Sequence, residues 1–249
     1  MNIKEVEPDT KITLSKFNFT CDEIDESIPK PLPQMLNFFM LICGRPGSGK
    51  TTLILNLISK RGKLYNKKFD KIYVFSPSLT TMKEDPFGEL PPEQVHQELT
   101  EENLEEALAS IRDSGEKVLF ILDDVVNDMK RSAGVQRVLS KMLMNRRHLA
   151  GSGGSTSFII TTQVYNKIPA PIRKTASHII VFHTRNKKEL DTIFDELIII
   201  PQKEFYEILK YCFSHKNKFL YIDINKPHDK MFHKCFNQLE FKTKDTPLT

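Results

Sequence analysis

Residues 38–52 read FFMLICGRPGSGKTT, and this stretch determines the fold that the rest of the chain is expected to adopt. An apolar run ends at the pattern G-x-x-x-x-G-K-T and continues into the apolar stretch Leu53–Ile58. A buried strand, a glycine loop and a helix in that order are the setting in which this pattern, the Walker A motif, binds phosphate. The stretch therefore predicts a P-loop that binds a nucleoside triphosphate.

Each part of this loop has an expected role in holding the phosphates. The glycines let successive backbone N–H groups point inward at phosphate oxygens, and the helix N-terminus adds partial positive charge. Lys50 is expected to reach the β- and γ-phosphates, and the Thr51 hydroxyl to ligate Mg²⁺. The predicted nucleotide-binding residues are Gly44, Arg45, Pro46, Gly47, Ser48, Gly49, Lys50, Thr51 and Thr52.

The composition sets broad limits on the protein. Its 249 residues are 39% hydrophobic, which is enough for a sizeable core, and the net charge of +4 permits contact with nucleic acid without requiring it. The four cysteines are scattered and predict a reducing compartment, and the spacing of His228, His233 and Cys235 matches no standard zinc site. We see no signal peptide or membrane-spanning run, and expect an intracellular protein without membrane association.

Apolar runs alternate with helical patterns along the chain. Strands are expected near 38–43, 70–76, 118–122, 158–163, 178–182 and 219–224, and helices from 50, from 100, and around 135–146, 190–197 and 205–212. This alternation predicts an α/β fold, a P-loop NTPase of the RecA/FtsK-like type, with a mainly parallel sheet covered by helices on both faces.

The boundaries of the domain follow from the same reading. We expect an N-terminal extension over 1–36, an ATPase domain over 37–225 and a basic C-terminal tail over 226–249. A short edge strand within 11–19, an end of the first helix near 61–62 and a long loop over 76–92 complete the prediction.

Two acidic residues follow the most apolar predicted strand, 118–122. Asp123 is placed to hold Mg²⁺ opposite Thr51, as a Walker B aspartate does. Asp124 comes next and is a candidate for the base that deprotonates an attacking water. The structural alternative is that the pair only ends a strand, but with a phosphate loop upstream it favours hydrolysis over passive binding.

Gln163 ends another buried strand, and parallel strands bring their carboxyl ends to one edge of the sheet. A carboxamide at that edge can bond the γ-phosphate or the attacking water.

Arg146 and Arg147 end the preceding helix, where cations are favourable in themselves. Their functional interpretation is an arginine finger that reaches a neighbouring subunit's nucleotide, with Arg45 and Arg173 as rival candidates.

The series GRPGSGKT, LFILDD, NRRH, FIITTQ and IPAPIRKTASHIIVF resembles the FtsK–HerA superfamily of DNA-pumping ATPases. Within that superfamily it is most similar to the viral genome-packaging ATPases, the poxvirus-type enzymes of large nucleocytoplasmic DNA viruses. The similarity runs from about 38 to 182, with a weaker continuation to 223. Its most discriminating mark is the glutamine after Walker B with an arginine shortly before it.

The resemblance implies an ATPase that uses ATP and Mg²⁺, with Thr51 and Asp123 at the metal and Asp124, Gln163 and one of Arg146 or Arg147 in catalysis. It implies a homo-oligomeric ring, pentameric or hexameric, that moves double-stranded DNA into a capsid through non-specific phosphate contacts. Capsid or portal-site proteins would be partners, and the host cytoplasm or viral factory the location. Two departures are Asp124, where cellular relatives commonly have glutamate, and the glycine-serine stretch 151–155.

Three alternatives remain open at the level of sequence. A cellular HerA-like DNA translocase or helicase would share the chemistry. A P-loop nucleoside or small-molecule kinase would need an acceptor pocket and would leave Gln163 without a role. A nucleotide-gated scaffold or virion subunit would hydrolyse ATP without moving DNA.

Overall fold

The computed structural model describes residues 22–58, 64–78, 87–215 and 217–241, together with Ser15. The expected edge strand within 11–19 and the expected end of the first helix near 61–62 lie outside these residues, as does the middle of the loop over 76–92. Among the described residues, no helix is both long enough and apolar enough to cross a membrane.

Strands and helices alternate from the phosphate loop onward, as the sequence predicts. The strands are β1 (Phe39–Cys43), β2 (Lys71–Phe75), β3 (Val95–His96), β4 (Lys117–Leu122), β5 (Ser155–Thr162), β6 (His178–Phe182), β7 (Phe219–Asp223), β8 (Phe232–Lys234) and β9 (Asn237–Gln238). The helices are α1 (Lys50–Ile58), α2 (Glu101–Ile111), α3 (Val126–Arg131), α4 (Ala133–Asn145), α5 (Ala170–Arg173), α6 (Lys187–Leu197) and α7 (Gln202–Cys212).

These strands form a single sheet in the part of the chain that the structure describes, in the order β3-β2-β4-β5-β1-β6-β7-β8-β9. All pairs from β3 to β6 are parallel, and β7, β8 and β9 continue the sheet antiparallel. β1 lies between β5 and β6, with Cys43 opposite Thr162 on one side and Val181 on the other. The chain therefore leaves β1, β4 and β5 at the same edge of the sheet, which is where the site forms.

Helices cover both faces of the sheet, which confirms the predicted fold class. One face packs against the apolar sides of α2 to α7, including Leu104, Leu139 and Phe205. The other packs against α1 and the segment before β1, with Ile28 and Leu57 fully buried. Because both faces are covered, β1, β4 and β6 are mainly apolar rather than alternating. All eight residues of β5 are buried as well, its serines and threonines included.

The described part of the expected basic C-terminal tail, residues 226–241, contains two short strands. β8 and β9 extend the sheet beyond β7, and Met231 and Phe232 are buried. Strands of three and two residues are too short to show a period, and polar residues interrupt the apolar ones around them. The same shortness explains why β3, between the loop expected over 76–92 and the helix expected from 100, was not predicted.

Candidate functional site

The phosphate loop joins β1 to α1 and has the backbone geometry that its glycines allow. Gly47 and Gly49 have φ angles of +72° and +104°, in the region that other residues rarely adopt. At Gly44 the limit is space, because an added Cβ would lie 2.6 Å from Ser48 Oγ and 2.8 Å from Phe182 Cβ. Gly44 is also fixed to β5, since its N–H donates to the Thr162 carbonyl at 3.0 Å. The loop is therefore anchored at its start and open at its tip, where Arg45 and Pro46 are exposed.

Lys50 is the first residue of α1, and its side chain turns back over the loop. Its Nζ donates to the carbonyls of Gly44 at 2.7 Å and Arg45 at 3.4 Å, and the residue is buried. A buried ammonium is costly unless its hydrogens are bonded, and the loop carbonyls provide that. This arrangement holds the cation against the phosphate loop, where it can meet a bound phosphate.

Thr51 and Asp123 meet across the edge of the sheet. The Thr51 hydroxyl donates to Asp123 Oδ2 at 3.2 Å, and the Thr161 hydroxyl at the end of β5 donates to Oδ1 at 2.7 Å. Asp123 is buried, and its own N–H donates to the Phe75 carbonyl at 2.9 Å. Hydroxyl and carboxylate oxygens are the ligands that Mg²⁺ prefers, so these residues fit that ion. Thr161 was not predicted as part of the site.

Asp124 and Gln163 form the outer half of the same site. Gln163 Nε2 donates to Asp124 Oδ2 at 2.8 Å, and both side chains reach solvent. Asp124 has a φ of +83°, a conformation that costs energy for a residue with a Cβ and that aspartate and asparagine tolerate best. The strained backbone turns the carboxylate away from Asp123 and towards Gln163. Backbone strain of this kind is concentrated at functional sites.

A buried acid on α6, Glu189, also belongs to this part of the molecule and was not predicted from the sequence. Its carboxylate accepts hydrogen bonds from Cys43 at the end of β1 and from the Tyr165 N–H just after Gln163. In the sequence it is one of several acids in an ordinary amphipathic helix. Only the packing of α6 shows that its side chain points inward.

Arg146 and Arg147 lie at the opposite edge of the sheet from their own chain's phosphate loop. They lie between the end of α4 and the start of β5, and the Thr156 N–H of β5 donates to the Arg146 carbonyl at 3.1 Å. Because the phosphate loop follows the carboxyl end of parallel strand β1, the start of β5 is at the opposite edge of the sheet. Arg146 donates to the carbonyls of Asn37 and Leu143 at 2.7 and 2.8 Å, and burial together with the charge on Arg147 lowers its pKa. Arg147 is ion-paired with Asp22 and 47% exposed. Both arginines line a cavity of about 760 Å³ at that edge.

The rival arginines have different surroundings. Arg173 forms a two-point ion pair with Glu196, with N···O distances of 2.9 and 2.5 Å, and lies over the Tyr165 ring. The Glu196 carboxylate raises the pKa of Arg173, and the guanidinium lowers the pKa of Glu196. Arg173 is thus already held within its own chain. Arg45 stands exposed at the tip of the phosphate loop.

The profile of a protein family described as Poxvirus A32 protein matches residues 32–237, most of the chain. The chain belongs to this family. The match includes the phosphate loop, both acids, Gln163 and β8. It confirms the resemblance to the viral genome-packaging ATPases, and the A32-family chain is an ATPase. No curated protein matches it at significant sequence similarity.

Solved structures share the fold of this A32-family chain. B204, the DNA-packaging ATPase from Sulfolobus Turreted Icosahedral Virus, is 20% identical with a TM-score of 0.58, over 80% of this chain and 97% of B204. The genome packaging NTPase B204 from Sulfolobus turreted icosahedral virus 2, in complex with ATP-gammaS, is 19% identical with a TM-score of 0.56, over 82% and 99%. The pCW3 conjugation coupling protein TcpA is 14% identical with a TM-score of 0.50, over 84% and 62%. These similarities confirm the P-loop NTPase fold.

Proposed function

We propose that this A32-family ATPase is the subunit of a ring that hydrolyses ATP between neighbouring subunits to move double-stranded viral DNA into a capsid. The observation that carries the proposal is the pairing of Thr51 with Asp123 and of Asp124 with Gln163 at one edge of the sheet. The first pair suits a metal and the second suits a water. A site that only binds nucleotide has no need of the second pair.

Each residue has a distinct part in the proposed hydrolysis. Lys50 and the loop N–H groups hold the phosphates, and Mg²⁺ on Thr51 and Asp123 would offset charge that develops on the phosphate oxygens. Gln163 orients the attacking water, and Asp124 takes its proton as the oxygen bonds to the γ-phosphorus. The bond from that phosphorus to the bridging oxygen breaks, and ADP and phosphate are released. Asp124 is one methylene shorter than glutamate, and its positive φ brings the carboxylate to Gln163.

The arginine pair supports the inter-subunit part of the proposal. Residues at the edge opposite the phosphate loop cannot serve their own chain's nucleotide, but they can face the next subunit's loop in a head-to-tail ring. Of the two, Arg147 is better placed to act as the finger, because it is half-exposed and pairs with a partly exposed carboxylate that a phosphate can replace. Arg146 is held by two backbone carbonyls and supports the position of its neighbour.

The DNA-translocation part of the proposal draws on the family and on the printed names of B204, a DNA-packaging ATPase, and TcpA, a conjugation coupling protein. The substrate would be held by phosphate contacts without base specificity. The ring size, pentamer or hexamer, the capsid partners, and a location in the host cytoplasm or viral factory belong to the same proposal.

The test is the steady-state rate of ATP hydrolysis with and without long double-stranded DNA. We expect DNA to stimulate the wild-type protein and Lys50→Ala to lose activity. Doping wild type with Arg147→Ala should reduce the rate by more than the mutant fraction, because each altered subunit also disables its neighbour's site. Arg137→Ala, which alters an exposed arginine on the preceding helix α4, is the control and should not reduce the rate beyond the mutant fraction or below wild type. Hydrolysis indifferent to DNA, with a loss that only follows the mutant fraction, would overturn the ring-motor proposal.

A further inference from the structure

Glu189 is a fully bonded carboxylate in the interior, next to the phosphate loop but outside it. The residue is 2% exposed, and its two oxygens accept three hydrogen bonds. Oε1 accepts from the Tyr165 N–H at 2.5 Å and from the Cys43 thiol at 3.0 Å, and Oε2 accepts from the Thr184 hydroxyl at 3.0 Å. Burying a carboxylate costs free energy unless such bonds are made, so its presence calls for a reason.

Helix capping does not supply that reason. Asn186 is the N-cap of α6, and its side chain accepts from the Glu189 N–H at 3.4 Å. A glutamate at this third helical position ordinarily returns to bond the N-cap N–H. Here the Thr184 hydroxyl accepts that N–H instead, at 3.1 Å. Thr184 therefore takes over the capping role, and the Glu189 side chain is free to point into the core.

The three donors belong to the ends of three adjacent strands. Cys43 is the last residue of β1 and directly precedes Gly44 of the phosphate loop. Tyr165 lies two residues after Gln163, beyond the end of β5. Thr184 follows β6 by two residues, just after Phe182, whose side chain closes the space at Gly44. One carboxylate thus joins the phosphate loop, the Gln163 segment and the segment after β6.

The thiol at this junction stays a hydrogen-bond donor. Burial, and then the charge of Glu189, raise the pKa of Cys43 well above its usual value. A protonated thiol donates to the carboxylate, whereas a thiolate would repel it. All three partners of Glu189 are therefore donors, which matches an acceptor-only carboxylate.

We propose that Glu189 is a positioning residue for ATP hydrolysis, which fixes Gln163 relative to the phosphate loop. The inference rests on the proposed role of Gln163 in orienting water. Glu189 acts through the Tyr165 N–H and does not itself touch the nucleotide. Misplacing a catalytic group by about 1 Å costs on the order of 100-fold in rate, so loosening this tether should lower turnover. The loop N–H groups and Lys50 remain, so nucleotide affinity should change little.

The first measurement compares Glu189→Met, which removes both acceptor oxygens, with Glu189→Gln, which keeps one. We expect kcat to fall about 10- to 100-fold in Glu189→Met and by less in Glu189→Gln, with the Kd for an ATP analogue within about 3-fold of wild type. Asp195→Asn, on the exposed side of the same helix, is the matched control and should behave as wild type. A parallel loss of affinity and turnover, or no loss of turnover, would overturn the inference.

A second measurement asks whether Glu189 acts through Gln163. Glu189→Met should cost no further turnover in a Gln163→Ala background, because the group that it positions is already absent. If the kcat losses of Glu189→Met and Gln163→Ala multiply in the double variant, Glu189 has a merely structural role and the inference is overturned. This outcome is distinguishable from failure of the proposed function, which would appear as wild-type hydrolysis that DNA does not stimulate.

Where Glu189→Met fails to fold, Thr184 supplies the same test from the other side of the carboxylate. Thr184→Ser keeps the hydroxyl and should retain wild-type kcat. Thr184→Val keeps the shape, loses the hydroxyl, and should lower kcat more than nucleotide affinity. Equal turnover in the two variants would contradict a positioning role.

Discussion

At the scale of single residues, the site depends on where two neighbouring acids point. Asp123 continues the direction of β4 and is buried between Thr51 and Thr161, whereas the positive φ of Asp124 turns its carboxylate towards Gln163. Adjacent residues are thereby separated in space, which suits the two roles proposed for them, one at the metal and one at the water. The sequence predicts both roles from the order of residues, but not the backbone conformation that separates them.

Asp124→Asn tests this division of roles. Asparagine tolerates a positive φ about as well as aspartate, so the melting temperature should stay near wild type. The base is lost, so kcat should fall by about 10² to 10⁴. Asp113→Asn is the matched control, because Asp113 also has a positive φ, +54°, and is exposed away from the site. Wild-type turnover in Asp124→Asn would show that Asp124 is not the base.

At the scale of elements, the C-terminal strands add buried surface as well as sheet edge. Phe232 on β8 is fully buried, with its ring 5.8 Å from that of Phe241 and 6.4 Å from that of Phe205 on α7. Phe232→Ala should lower the free energy of unfolding by about 3–5 kcal/mol, measured by denaturant titration. Asn237→Ala on exposed β9 should change it by less than about 0.5 kcal/mol. An unchanged free energy of unfolding in Phe232→Ala would mean that this segment does not pack on the sheet.

The elements also show which parts of the fold the sequence could reveal. The long strands β4 and β5 were predictable because burial on both faces gives them continuous apolar runs, over 118–122 and 158–160. β3, β8 and β9 were not, since two or three residues carry no period. Glu189 was missed for a different reason, because its place in the first turn of α6 is also that of an ordinary capping residue. Its inward direction depends on Thr184, a tertiary detail that local pattern does not contain.

At the scale of the whole molecule, the net charge of +4 is modest for a protein that would hold DNA. The proposed ring would multiply this charge, since several subunits would surround one duplex. We therefore expect DNA stimulation of hydrolysis to be strongly salt-dependent, with DNA affinity falling about 10³- to 10⁵-fold from roughly 50 to 200 mM salt if about 6–10 phosphates are contacted. Basal hydrolysis without DNA is the internal control and should change far less. DNA affinity that is insensitive to salt would contradict binding through phosphates.

β5 has a mechanical consequence for such a ring. Its eight residues are all buried, it is hydrogen-bonded to β4 on one side and β1 on the other, and at about 3.3 Å per residue it spans roughly 26 Å. One end contacts both acids through Thr161 and Gln163, and the other bonds the Arg146 backbone. Because every residue of β5 is paired with at least one neighbouring strand, we expect β5 to move as a rigid unit. In the proposed ring, a displacement at the phosphate end would be passed to the arginines proposed to face the next subunit, so successive subunits would hydrolyse ATP in sequence without any separate relay.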